Sequence, residues 1–527
     1  MKKYFCYIII VAAALSSCKK DFLQRAPLDA LSDATFWNSD KDAIAAVNGC
    51  YKGWETGYNI IYLDCAADNS YNPFPWEGYT DLGSGYATPT NGNIAVRWDF
   101  TTVRKCNEVL ENIGKPKMDE DLRKRLKAET RFIRAYQYFI MNRLYGDVPL
   151  VTKTLTIQEA NTQSRTAGAD VVKFILDELT AIAPDLPVSY SGSDKGRITQ
   201  GAALALKARI ELYQGMYDAA IADCQLVMKL GYDLFRSTNS YQDLFRIQNN
   251  NNIEVILDVQ YKKDDNPFDI VGIMLPASLG GWCSLNPNQN LVDAYEMTNG
   301  KTIDDPTSGY NPNDPYKNRD PRLSASILVP GAKYEGSYYN PIQTGAPDFY
   351  SPYGNSKTGY LVKKFAPFVS DYADIWNTGL NIMVIRYAEV LLTYAEAKIE
   401  KGSIDGSVYN AIDAVRTRAG MPATNQAVYN NQTKLRELIR RERRVELGLE
   451  GLRWFDVQRW KIGPQVMPGP LMGARLGTVN PNNGALALTP ERIKVEDRVF
   501  DINKNYLWPV PQKEIDLDKN LKQNPNY

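Results

Sequence analysis

Apolar residues recur at alternating three- and four-residue steps through much of the chain, and residues 381–460 show the pattern most clearly. Ile385, Ala388, Leu392, Ala395 and Ile399 form one stripe on a predicted helix. Gly402 closes it, because glycine takes the left-handed C′ conformation without steric cost. A second helix is predicted from about residue 407 to 419, stopped by Gly420 and Pro422. A third starts near Thr433 as N-cap, runs through LRELIRRERRVELGLEG, and is followed by RWFDVQRW, ending at Trp460. Helices of similar length joined by a short Gly turn make a hairpin that cannot bury its stripe alone.

The same period returns earlier in the chain. Ser39 or Asp40 caps a helix with the stripe Ala43, Val47, Cys50 and Trp54. Further helices are predicted over about 94–113, 120–145 and 170–183. Leu122, Leu126, Ile133, Ile140 and Leu144 face inward on the longest of these. The run GAALALKARIELYQGMYDAAIADCQLVMKLGYDL, from Gly201 to Leu234, resembles a tetratricopeptide unit. Ala208 and Tyr213 lie on its first helix, Gln214-Gly215 form the turn, and Tyr217 and Ala220 open the second. No strict repeat period runs through the chain, so the expectation is a bundle of repeat-like hairpins.

Two regions lack either period. Residues 58–93 hold YNPFPWEGYTDLGSGYATPTNGN, rich in Pro, Gly, Asn and aromatics. A loop this long in a compact protein is functional or disordered, and its aromatics argue against disorder. After a strand over residues 252–261, the chain stays loop-rich to about residue 379. The fold expected is therefore mainly α: a tetratricopeptide-like helical hairpin scaffold with a loop-rich inserted lobe. Its parts are a scaffold over 38–234, the lobe over 235–380, C-terminal hairpins over 381–463 and an irregular segment over 464–527.

Charge and composition narrow the function. The 527 residues carry 61 basic and 61 acidic groups with no long like-charge block, which argues against nucleic acid as partner. The chain has no histidine, which removes Ser-His-Asp and Cys-His nucleophiles, zincin motifs and His-ligated metals. Acid–base work by two carboxylates stays open, for example by Glu77 and Asp81 as a glycoside hydrolase pair.

Lys2 and Lys3 followed by an apolar run over residues 4–15 read as a targeting segment, too short to span a bilayer. Leu15-Ser16-Ser17-Cys18 resembles a bacterial lipobox, giving a signal peptide over 1–17, lipidation of Cys18 and a tether over 18–37; ordinary secretion with Cys18 a spare thiol is the alternative. Cys50, Cys65, Cys106, Cys224 and Cys283 remain, an odd number without a CxxC, and read as small buried residues.

Taken together, FLQRAP after Cys18, RFIRAYQYFIMNRLYGDVPLV, LNPNQNLVDAYEMTNG, NRDPRL, RYAEVLLTYAEA, RRERRVELGLEGLRWFDVQRW and YLWPVPQKEI…NPNY resemble the SusD/RagB family of outer-membrane, nutrient-binding lipoproteins of Bacteroidetes. The resemblance runs almost end to end. It implies four tetratricopeptide-like units, a loop-rich ligand face, no catalysis and no cofactor. It also implies a surface-exposed protein that passes glycan to a TonB-dependent SusC-like transporter. Some relatives take peptides instead.

Sugars present apolar C–H faces ringed by hydroxyls, so a site needs flat aromatic platforms and a polar rim. The loop supplies Asp68, Tyr71, Asn72, Phe74, Trp76 and Tyr79; the lobe supplies Trp282 and Tyr310. Trp76 and Trp282 lead this set, because neither fits a periodic core face. The charged run from Arg440 to Glu446 is expected to pair with Glu389, Glu396 or Glu450 between hairpins. Asp304, Asp305, Asn311, Asn313 and Asp314 lack the EF-hand pattern and are equally explained as turn residues, so no metal site is assigned.

Overall fold

A computed structural model describes residues 36–527. The targeting segment, Cys18 and most of the tether lie outside the described residues. The first helix, α1 (Asp40–Tyr51), begins at Ser39, whose hydroxyl and backbone form a capping box with Asp42. Trp54 lies beyond the end of α1 but is buried with its stripe. The helix expected over 94–113 is interrupted. Asp99 accepts from Thr101 N at 2.8 Å and starts a fresh helix, α2 (Phe100–Asn112). The long helix α3 (Glu120–Tyr145) is capped by Asp119 and stopped by Gly146 at φ +75°.

The remaining scaffold helices are α4 (Gly168–Ile182), α5 (Gln200–Tyr213), α6 (Tyr217–Val227), α7 (Tyr387–Lys401), α8 (Gly406–Arg418), α9 (Gln432–Glu446) and α10 (Arg453–Trp460). From α2 to α7 they pack in chain order, α2 on α3, α3 on α4, α4 on α5, α5 on α6 and α6 on α7; α7 then packs against both α8 and α9. Small residues make the close approaches: Ala202, Ala203, Ala205 and Ala208 are buried on α5, and Ala388, Ala395 and Ala397 on α7. The architecture is the mainly helical hairpin scaffold that the periodicity predicts.

Three further elements differ from expectation. Residues 382–386 belong to a strand rather than to the start of α7. The β-branched run of β4 (Ile382–Arg386) pairs antiparallel with β2 (Val255–Val259), so Ile385 is buried in a sheet. The cap of α9 is Asn431, which accepts from Lys434 N at 3.1 Å, two residues before Thr433. Residues expected to be irregular near the C-terminus form a long antiparallel hairpin, β5 (Gly469–Val479) with β6 (Leu486–Arg498).

Buried ion pairs tie the inserted lobe to the last helices. Arg322 reaches Glu442 at 2.5 Å and Glu446 at 2.9 Å. Arg386 reaches Glu254 at 2.8 Å, Glu446 at 2.7 Å and Glu450 at 2.8 Å, and Arg418 also meets Glu446. The Glu446 carboxylate therefore faces three guanidinium groups, and their field holds its pKa far below the ordinary range although burial acts the other way. The expected pairing of the 440–446 run is present with partly different partners. Arg443 meets Glu396, whereas Glu389 takes Arg209, and Glu450 takes Lys364 and Arg386.

Candidate functional site

The aromatic-rich loop is pinned at its base. Asp68 is buried between Arg453 at 2.6 Å and Arg444 at 2.9 Å. Burial pushes its carboxyl up, but the two arginines outweigh burial and hold it at about 2. The two-residue strand β1 (Ser70–Tyr71) then pairs antiparallel with β3 (Asn286–Pro287) of the lobe. Asn72 is buried and donates to the Ser284 carbonyl at 3.1 Å and to Glu77. Loop and lobe are thus joined a few residues from Trp76 on one side and Trp282 on the other.

Phe74-Pro75-Trp76 rises from this base. Phe74 is buried and forms a floor; the Trp76 ring stacks on it at 4.9 Å, with an angle of 22° between the planes. One face of Trp76 is thereby supported, while the residue stays 67% exposed. The turn that follows needs glycine. Gly78 has φ +83°, and a Cβ there would come within 2.1 Å of Asn93 Cγ.

Trp282 is held by comparable means. Gly280 takes φ +78°, and a Cβ on Gly281 would lie 2.2 Å from the Leu275 carbonyl oxygen. The Trp282 backbone N–H donates to Gly272 O at 3.0 Å. Its ring leans on Trp376 at 4.8 Å and 52°, and the residue is 54% exposed. No ring pair joins Trp76 to Trp282 among the described residues, so each heads its own cluster.

The structure divides the eight residues nominated from sequence. Trp76 and Trp282 stand out into solvent. Phe74 and Tyr79 are buried supports, Tyr79 lying 5.5 Å from the Tyr62 ring. Asp68 and Asn72, expected at a polar rim, are buried and engaged in holding the loop. Tyr71 and Tyr310 are half-buried, and the Arg319 guanidinium lies 5.5 Å from the Tyr310 ring centre.

Sequence reasoning missed two aromatic residues. Tyr353 is the more exposed, at 77%, and its ring lies 5.8 Å from Phe74 and 6.3 Å from Trp76. Its loop is held by Lys357, whose ammonium donates to Ser351 O and Pro352 O at 3.0 Å each. Asn355 donates to Pro347 O at 3.1 Å and to Phe349 O at 2.8 Å. The same loop reaches the Trp282 turn, where Ser278 Oγ donates to Asp348 at 2.8 Å. The only sequence signal was a Tyr set among Pro, Gly and Asn in SPYGN. Trp376, half-buried beneath Trp282, is the second.

Glu77 and Asp81 have separate partners. Glu77 accepts from Asn72 at the loop base, and burial raises its carboxyl above the usual range against the pull of its hydrogen bonds. Asp81 instead accepts from Asn91 at 2.5 Å on the surface. The Asp/Asn run after residue 304 makes turns: Asp305 accepts from Thr307 N at 2.7 Å, and Asn311 from Asn313 N at 3.0 Å. Among the described residues no group of three or more Cys, Asp or Glu could hold a metal, and no helix is long and apolar enough to cross a membrane.

A family model described as "SusD family" matches residues 232–527, and one described as "Starch-binding associating with outer membrane" matches residues 84–212. A SusD-like carbohydrate-binding protein of Bacteroides fragilis is 31% identical, with 92% of this chain and 100% of that chain covered and a TM-score of 0.83. A second SusD-like structure from that organism is also 31% identical, covering 95% of this chain and 100% of its own, at a TM-score of 0.82. A SusD-like protein of Bacteroides ovatus is 27% identical over 87% of this chain and 83% of its own length. With the family match spanning more than half of its residues, the chain belongs to the SusD family.

Proposed function

We propose that this protein captures oligo- or polysaccharide at the cell surface, anchored in the outer membrane through lipid on Cys18, and hands it without covalent change to a TonB-dependent SusC-like transporter. The observation that carries the reading is the Trp76 ring, stacked on a buried Phe74 and open to solvent on its other face. A flat ring fixed in this way loses little conformational freedom on binding a pyranose face. Tyr353 and Trp282 extend the aromatic surface. The exposed rings lie on open surface, and cavities of about 250, 480 and 610 Å³ lie elsewhere. A shallow wet surface desolvates little, so modest affinity per site is expected. The carbohydrate-binding relative of Bacteroides fragilis supports the ligand class.

Affinity electrophoresis against a glycan panel tests the reading. Trp76→Ala should lower affinity for the retained glycan by about tenfold, which corresponds to about 1.4 kcal/mol. Trp282→Ala should lower it by less, because its cluster is separate. If both variants migrate like the parent protein, the aromatic face is not the site. Release of reducing ends at enzymatic rates from the same glycans would replace binding by hydrolysis.

A further inference from the structure

One cavity gathers basic groups and no acidic ones. It has a volume of about 480 Å³ and lies among the C-terminal ends of α3 and α10 and residues 502–525. Its charged wall residues are Arg143, Lys461 and Lys504, with no Asp or Glu in the wall. None of the three has a carboxylate partner among the described residues. Arg143 donates to Gln458 Oε1 at 3.1 Å and lies 5.4 Å from the Tyr213 ring centre, while its Nε is buried without an acceptor. Lys461 and Lys504 each hold their ammonium 4.6 Å from a tyrosine ring centre, those of Tyr506 and Tyr527.

Two of these cations oppose each other. Burial pulls the Lys461 ammonium below its usual pKa, and the Arg143 charge pushes in the same direction. Burial also lowers Arg143, with Tyr213 opposing and Arg459 adding to the fall. Cations near helix C-termini ordinarily complement free carbonyls. Here several of those carbonyls already have partners. Asn142 O accepts from Gly146 N at 2.9 Å, Arg143 O from Gln458 Nε2 at 3.1 Å, and Val457 O from Ile462 N at 3.2 Å. Helix capping therefore does not account for the cluster. Gln214 and Asn503 add amide groups to the same wall.

We propose that this cavity binds a tetrahedral oxyanion, a phosphate or sulfate group, between Arg143, Lys461 and Lys504. Such a group supplies the missing negative charge and accepts several charge-assisted hydrogen bonds at once. The site shares no residue with the aromatic face, so either assignment can fail without the other.

Inorganic phosphate is the probe, titrated calorimetrically into the whole protein at ionic strength held constant with sodium chloride. Lys461 has φ +56°, so the variant chosen is Lys461→Asn, which tolerates that conformation, combined with Lys504→Gln. The parent protein should bind phosphate saturably, and the double variant about tenfold more weakly or worse. Glycan retention should be the same in both. A sulfated saccharide and phosphatidylglycerol vesicles then serve as competitors. Whichever displaces phosphate names the source of the group, and failure of both assigns the site to the free ion. Absence of saturable phosphate binding, or equal binding by parent and double variant, overturns the proposal.

Discussion

The junction around Glu446 and the loops around Trp76 and Trp282 solve opposite problems. At the junction, groups that prefer water are hidden: Arg322, Arg386 and Arg418 are almost fully buried and converge on one carboxylate. In the loops, groups that prefer burial are shown to water, and glycines, buried amides and backbone hydrogen bonds hold them there. Burying a charge is costly unless it is paired, and exposing a large ring forgoes its transfer energy. The first arrangement makes the lobe and the last helices one body. The second gains little for the fold, which is why a ligand is proposed there.

The junction should give the largest effect. Glu446→Ala leaves three buried guanidinium groups short of charge, and breaking one buried pair costs about 3–5 kcal/mol. Denaturant unfolding should show at least that loss, while Trp76→Ala should change stability by less than about 1 kcal/mol. A loss below about 1 kcal/mol at Glu446 would mean that the ion network is not what fastens the lobe, and the comparison would fail on its structural side.

Asp68 joins the two regions, since it ties the aromatic loop to α9 and α10, and pH probes it. Its folded pKa is about 2, against roughly 3.9 unfolded. A carboxyl held low in the folded state contributes stability that is fully present above the unfolded value and is lost as pH falls through the folded one. Folding stability should therefore drop between about pH 4 and pH 2. Asp68→Asn should start less stable at neutral pH and show a shallower drop across that window. An unchanged slope would show that this pair does not set the acid limb.

Much of the fold was legible because it follows a period. The 3.6-residue stripe and the stop at Gly146 place α3, and the Ala-rich run places α5 and α6. The failures lie where a tertiary partner decides. Ile382–Arg386 carries apolar residues in phase with the next helix, but β2 offers it a ladder, and β-branched side chains fit the sheet. The C-terminal hairpin was hidden for the same reason, its register broken by irregularities that blur strict alternation. At the site, exposure of Trp76 and Trp282 was legible because a lone Trp in a Gly/Pro loop has no periodic face to join. The burial of Asp68 was not, because Arg444 and Arg453 lie far along the chain. Tyr353 escaped for the converse reason: nothing local marks which of 33 tyrosines ends beside a tryptophan.

Tyr353 gives the smallest effect and the sharpest one for the aromatic side of the comparison. Its ring is tilted 45° to Trp76 and carries almost no burial, so Tyr353→Ala should leave unfolding stability within about 0.5 kcal/mol of the parent. If the ring extends the platform, glycan affinity should fall about two- to fivefold, in line with about 0.5–1 kcal/mol for one exposed aromatic contact. Tyr353→Phe keeps the flat face and removes only the hydroxyl, so it should retain most of the affinity. Loss in both variants assigns the contribution to the hydroxyl as a rim hydrogen bond. Loss in neither confines the platform to Trp76 and its Phe74 floor, and the loop that Lys357 braces would then serve only to shield that floor from water.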